Sequence, residues 1–247
     1  MSVYKQIKEK FEQNQKQYWI LLDPDDFSGE GAANIVKTAE EAGAGAVLIG
    51  GSLVHDDGLG DFIAEIKRKA KIPTILFPGD ASQIAENADA ILFMSLISGR
   101  NPDFLIGQQV KGAVKIAKTK VEPISMGYML VESGTTTSVE FMSDTRPLPR
   151  EKPEIAAAHA LAAQFLGMSM LYLEAGSGAK YSVPEEMITA VKKCVKIPVI
   201  VGGGIRDAET AKKKLEAGAD IIITGNLLSA KNGIEEMKKI AETVRGF

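Results

Sequence analysis

The sequence holds one cysteine, Cys194, two histidines and one tryptophan in 247 residues. A lone cysteine excludes an internal disulfide framework. His55 and His159 lie far apart, so no zinc site or Cys-His nucleophile pair can be argued. No apolar run approaches the roughly 18 residues that span a bilayer; YWILL and AILFM are the longest candidates. The segment KQIKEKFEQNQKQ lacks the apolar core of a secretion signal, and a cytoplasmic location is expected. Nor is there an excess of positive charge: 29 Lys and Arg stand against 32 Asp and Glu, a net charge of -3. The basic footprint of a nucleic-acid-binding protein is therefore missing. No GxGxxG opens a βαβ unit and no GxxxxGK[ST] occurs, which argues against dinucleotide and P-loop chemistry.

What is present is an ordinary globular composition, 45% hydrophobic and 25% charged, in a chain long enough to bury a large core. Eight short aliphatic runs recur, at 18–23, 46–51, 73–77, 90–94, 124–132, 170–176, 197–204 and 219–226. Most are continuously apolar, as parallel strands covered on both faces require. Helix-patterned segments alternate with them, such as AANIVKTAEEAG with Gly43 at its end and DAETAKKKLEAG between Asp207 and Gly218. Eight strand-helix units in this length predict an α/β chain folded as one (β/α)₈ barrel over residues 1–247. Residues 1–17 are expected to form a pre-barrel helix that closes the bottom through Tyr4, Ile7 and Phe11. Between Pro78 and Ala88 there is too little chain for a full third helix. Conversely, the polar stretch from Ser133 to Lys152 is long and sits where a lid or a plain surface loop would lie.

Glycine-rich turns follow strands six, seven and eight: Gly176-Ser177-Gly178, Gly202-Gly203-Gly204 and Gly225-Asn226. In a barrel these are the positions where backbone N–H groups approach a phosphate, aided by a short following helix. Strand one ends at Asp23, a hard oxygen ligand suited to Mg²⁺, and strand two ends at Ser52, which could join it or simply bond within the turn. Asp25, Asp26 or Ser28 is expected to cap the next helix. Tyr172 and Glu174 alternate onto one side of strand six. If that side is the lumen, Glu174 can accept hydrogen bonds or a proton from substrate hydroxyls; a structural ion pair is the competing use. Trp19 and Cys194 read as core residues.

Taken in order, YWILLDPDD, LIGGS, PTILFPG, YLEAGSGA, VGGGIR and TGNLL resemble the geranylgeranylglyceryl phosphate synthase family and its bacterial polyprenylglyceryl phosphate synthase relatives. The resemblance implies a modified TIM (β/α)₈ barrel whose third helix is replaced by a short irregular segment. It implies a prenyltransferase of membrane ether-lipid biosynthesis, which joins a polyprenyl diphosphate, geranylgeranyl in the namesake reaction, to the sn-3 hydroxyl of sn-glycerol 1-phosphate and releases diphosphate. Mg²⁺ is the implied cofactor, at Asp23 and Ser52. The implied acceptor site comprises Tyr172, Leu173, Glu174, Ala175, Gly176, Ser177 and Gly178 with Gly203, Gly204, Gly225 and Asn226. Tyr172 and Glu174 are the expected catalytic pair. Apolar room for the prenyl tail is expected beside strands three and four. The wide apolar faces of NPDFLIGQQVKGAVKIA and IAAAHALAAQFLG point to a homo-oligomer, and product release implies transient contact with a membrane surface. Two other functions compete: an isomerase or synthase acting on a phosphorylated sugar or amine, and a non-catalytic phosphate-ligand sensor. The first needs a dedicated acid and base that are thinly represented here, and turnover separates the second.

Overall fold

The computed structural model describes residues 2–51 and 58–247. Eight parallel strands close into a barrel in sequence order: β1 (Gln17–Leu22), β2 (Ala46–Ile49), β3 (Thr74–Leu76), β4 (Ala90–Leu96), β5 (Glu122–Leu130), β6 (Met170–Glu174), β7 (Val199–Gly202) and β8 (Ile221–Thr224). β1 pairs with β8 to complete the ring, with Trp19 opposite Ile223. The α-helices among the described residues are α1 (Val3–Glu12), α2 (Gly29–Ala42), α3 (Leu59–Lys69), α4 (Gln108–Ile116), α5 (Ser138–Ser143), α6 (Pro153–Phe165), α7 (Glu185–Cys194), α8 (Ala208–Glu216) and α9 (Gly233–Arg245), with a short 3-10 turn at Asn226–Ser229 and a π turn at Asp103–Gly107. All eight expected strands are present, and no helix occurs between Phe77 and Ala90.

Alternation along the strands divides the core into two layers. Inward residues such as Trp19, Leu48, Met126, Tyr172, Ile200 and Ile223 fill the lumen. Outward residues such as Ile20, Val47, Leu173, Val201 and Ile222 pack under the helices. Both layers are buried, which is why the strands read as continuously apolar.

The bottom of the barrel is closed by α1, shorter than the expected 1–17 span because Gln17 already pairs in β1. Val3 and Ile7, with Tyr4 beside them, plug the lumen, whereas Phe11 lies under the Lys192 ammonium at 4.6 Å. Glu122 holds the helix start by accepting from the Val3 and Tyr4 N–H groups. At the same end Asp220 is buried, accepts from Val199 N at 2.9 Å, and pairs with Lys16 at 3.1 Å and with Lys192.

Of the three candidate caps for α2, Ser28 is the one that serves, accepting from Gly31 N at 3.2 Å, and the favoured Asp25 and Asp26 do not. A side chain immediately before the first helical turn has the short reach that capping needs. Asp207 caps α8 through Thr210 N at 2.7 Å, as its position foretold. Cys194 is half-buried, with its thiol donating to the Val191 carbonyl.

Candidate active site

The inward ladder of several strands runs upward into the mouth, so each side chain there continues a period of two. On β6 the series is Met170, Tyr172 and Glu174; on β1 it is Trp19, Leu21 and then Asp23. Asp23, Tyr172, Glu174, Gly176, Ser177 and Gly178 line one cavity at the carboxyl ends of the strands. Gly203, Gly204, Gly225 and Asn226 complete its wall. Leu173 and Ala175 do not reach it; both pack in the outer core layer. Ser52 and His55 lie outside the described residues.

Glu174 is 5% exposed, and among the described residues it makes no ion pair. Its Oε1 accepts from Gly176 N at 2.6 Å, and its carboxylate also accepts from the Tyr172 hydroxyl and the Ala175 N–H. Burial nevertheless dominates and holds the carboxyl above the usual carboxylate range. The glycines of the next turn make this arrangement possible. A Cβ on Gly202 would collide with the Tyr172 hydroxyl, and one on Gly203 with Glu174 Oε1. The triple glycine thus gives room to a buried carboxylate and its tyrosine partner.

Tyr172 and Tyr128 stack edge-on, with ring centroids 5.4 Å apart, and Phe77 lies 5.8 Å from Tyr172. Burial first, and the Glu174 charge second, push both phenols well above their ordinary pKa, so they remain hydrogen donors. Ser177 Oγ bonds Asn226 Oδ1 at 2.9 Å and thereby ties the turns after β6 and β8 together. Gly178 has φ +73°, and a Cβ there would meet nothing within 4 Å. Arg206 is the one cation lining the cavity among the described residues; it donates to Ala179 O at 2.7 Å.

Asp23 lies on the opposite side of the mouth, and its Oδ1 accepts from Asp25 N at 3.1 Å. Its other oxygen overhangs Gly51, where any Cβ would collide with it. This cradle fits a divalent cation held by one carboxylate, with the remaining positions left to water and substrate phosphates, the usual pattern for Mg²⁺. Among the described residues no cluster of three or more acidic, histidine or cysteine side chains offers a denser metal site.

Beside Asp23 a second, apolar groove begins. Gly51, Phe77, Tyr128 and Val139 border both spaces, and Ile84, Leu92, Phe104 and Ile116 carry the groove outward. It occupies the room that a regular third helix would fill. The long stretch from Ser133 to Lys152 is only partly irregular: α5 forms within it, and Leu148 bridges Val131. Val139 and Met142 of α5 lean over the groove, while Thr137 packs on Gly176 and Tyr181 covers Gly134.

Tyr128, Arg206 and Gly51 belong to the site but were not selected from sequence. Tyr128 shares the inward parity of Ile124 and Met126, and Arg206 stands two residues after the triple glycine, so both carried a signal. Gly51 carried none beyond its place in LIGGS.

The sequence pattern of the PcrB family matches residues 9–244. The chain belongs to the PcrB family. This PcrB-family chain is 47% identical over 244 residues to geranylgeranylglyceryl phosphate synthase of Pyrococcus horikoshii, covering 98% of this chain and 95% of that protein. The synthase of the same name from Flavobacterium johnsoniae is 47% identical, with 91% and 92% covered. The crystal structure of (S)-3-O-geranylgeranylglyceryl phosphate synthase from Thermoplasma acidophilum, in complex with its substrate sn-glycerol-1-phosphate, superposes with a TM-score of 0.95. That protein is 36% identical, and 100% of each chain is covered.

Proposed function

We propose that this chain joins a polyprenyl diphosphate to the sn-3 hydroxyl of sn-glycerol 1-phosphate, forming an ether and releasing diphosphate. The observation that carries the reading is the junction of two unlike spaces at one mouth. One is a polar pocket of glycine turns around a buried carboxylate; the other is an apolar groove that starts beside Asp23.

The acceptor's phosphate lies against the backbone of Gly178, Gly203, Gly204, Gly225 and Asn226, where N–H groups bind a dianion without lysine. Its glycerol hydroxyls face Glu174. The sn-3 oxygen forms a bond to C1 of the prenyl chain while the bond from C1 to the diphosphate oxygen breaks and its electron pair leaves with diphosphate. The hydroxyl proton passes to Glu174, whose burial-raised pKa makes it a stronger base than an exposed carboxylate. Tyr172, held protonated, donates to that carboxylate and orients it.

Asp23, with Ser52, would hold Mg²⁺. When bound with the diphosphate oxygens, the ion neutralises charge that builds on the leaving group. The groove takes the prenyl tail and excludes water from the reacting carbon. Among the described residues no helix is long and apolar enough to cross a membrane. The lone cysteine fits a cytoplasmic setting. The exposed Phe141 on α5, next to the groove, supports transient contact with a membrane surface where the product leaves. Exposed Val110 and Val114 on α4, and Phe165 at the end of α6, support a homo-oligomer.

Turnover tests the reading. Purified protein is incubated with labelled sn-glycerol 1-phosphate and prenyl diphosphates of graded length, with Mg²⁺ and with a chelator. An ether product that needs Mg²⁺ is expected. No product with any tail, or isomerisation of a phosphorylated sugar instead, refutes it.

A further inference from the structure

The segment between β3 and β4 has no helix to satisfy its own backbone, so side chains take over that role. Gln83 is the buried one, at 6% exposure. Its Oε1 accepts from Gly79 N at 3.0 Å, and its Nε2 donates to Gly51 O at 3.2 Å. An N–H at one end and a carbonyl at the other fix the orientation of the amide. The first bond closes the segment on itself. The second crosses to the turn after β2.

That turn is hemmed in on both sides. A Cβ on Gly50 would collide with the Phe77 carbonyl, and a Cβ on Gly51 with the Asp23 carboxylate. The backbone of Gly51 is therefore the surface on which Asp23 rests, Gly50 is pressed against Phe77, and Gln83 holds the Gly51 carbonyl. The outer part of the segment is fixed independently, since Ala81 N donates to Gln108 Oε1 at 3.0 Å and Gln108 Nε2 donates to Asp103 Oδ2 at 2.6 Å. Gln83 itself lines neither the mouth cavity nor the groove.

We propose that Gln83 is a positioning residue for the donor half of the reaction. By holding the Gly51 carbonyl it sets the Asp23 carboxylate, and so the binding of the divalent cation and the diphosphate, without touching either. The inference rests on the assignment of the cation to Asp23. A residue that only filled space would act on the whole mouth; Gln83 acts on one side of it.

Two variants of the full chain make the test. Gln83→Glu keeps the length and the acceptor for Gly79 but turns an oxygen toward the Gly51 carbonyl. Gln83→Met keeps similar length and removes both bonds, and it carries the test if the first variant fails to fold. Mn²⁺ binding in the presence of inorganic diphosphate is followed by electron paramagnetic resonance, and sn-glycerol 1-phosphate binding by calorimetry. Outer partners of metal ligands typically contribute 10- to 100-fold in affinity, so Mn²⁺ affinity is expected to fall about tenfold or more while acceptor affinity changes by less than about twofold. The KM for prenyl diphosphate rises in step. Unchanged Mn²⁺ affinity in either folded variant overturns the inference, as does equal weakening of Mn²⁺ and acceptor. Asp23→Asn, run in parallel, separates the two levels. If it weakens Mn²⁺ and the Gln83 variants do not, only the role of Gln83 falls; if Asp23→Asn has no effect, the metal assignment and the inference fall together.

Discussion

Two carboxylates are buried at opposite ends of the same barrel, and they are treated in opposite ways. Asp220, at the bottom, has two lysines and a backbone N–H around it. Glu174, at the mouth, has only neutral donors, and burial raises its pKa. A buried charge without a counter-charge is destabilising by several kcal/mol. The bottom of the barrel removes that penalty, and the mouth keeps it. The difference teaches where stability and chemistry reside: the ion pairs of Asp220 tie the bottom together, whereas Glu174 at the mouth faces only neutral donors and has its pKa raised by burial.

Removing each carboxylate should give opposite results. Glu174→Gln keeps the size and can still accept from Gly176, but it lacks the base, so turnover should fall by about 10²- to 10⁴-fold. Its stability at neutral pH should equal or exceed that of the native chain, as thermal melting would register. The pH dependence follows from the direction of the shift. The native state holds the Glu174 proton more tightly than the unfolded chain, so stability declines as pH rises from the ordinary carboxylate range through the native pKa. Glu174→Gln should lose that slope, together with the acid-side limb of the pH-rate profile. A variant that melts early and keeps its turnover would reverse the roles assigned to the two ends.

Asp220→Asn should do the converse. It leaves Lys16 and Lys192 without their partner and is expected to lower stability by about 3–5 kcal/mol. Denaturant titration measures this, and acceptor and donor KM values should stay unchanged in the folded fraction.

Smaller effects divide the mouth itself. Gly112 lies in the groove wall, where a Cβ would sit 3.3 Å from Ile84 Cδ1. Gly112→Leu should overpack that wall by about 1–3 kcal/mol and raise KM for long prenyl diphosphates while sparing short ones. Equal sensitivity for all tail lengths would separate the groove from the tail. Gly178→Ala places a methyl in open space of the acceptor pocket at a left-handed φ. It should weaken sn-glycerol 1-phosphate by about tenfold, ~1.4 kcal/mol, with diphosphate binding preserved.

Much of the fold was legible because parallel strands buried on both faces leave continuous apolar runs, and all eight runs became strands. The missing third helix was legible from chain length alone. Ends were less so: alternation does not mark where a ladder stops, so Gln17 joined β1 instead of extending the pre-barrel helix. In the site, Glu174 and Tyr172 followed from strand parity. The reach of Asp23 over Gly51 and the bond from Gln83 to Gly51 join residues far apart in sequence, and no periodicity encodes such contacts. Within the span from Ser133 to Lys152, α5 was hidden by polar residues, because its few apolar side chains lean over a groove rather than into a core.

The division of the mouth into an acceptor half and a donor half is tested most directly by crossed titration of two folded variants. Calorimetry follows sn-glycerol 1-phosphate and, separately, Mg²⁺ with inorganic diphosphate, binding to Asp23→Asn and Glu174→Gln. Asp23→Asn should lose affinity for Mg²⁺ and diphosphate while holding the acceptor as the native chain does. Glu174→Gln should weaken the acceptor and leave Mg²⁺ with diphosphate unaffected. Parallel loss of both ligands in either variant would contradict the division.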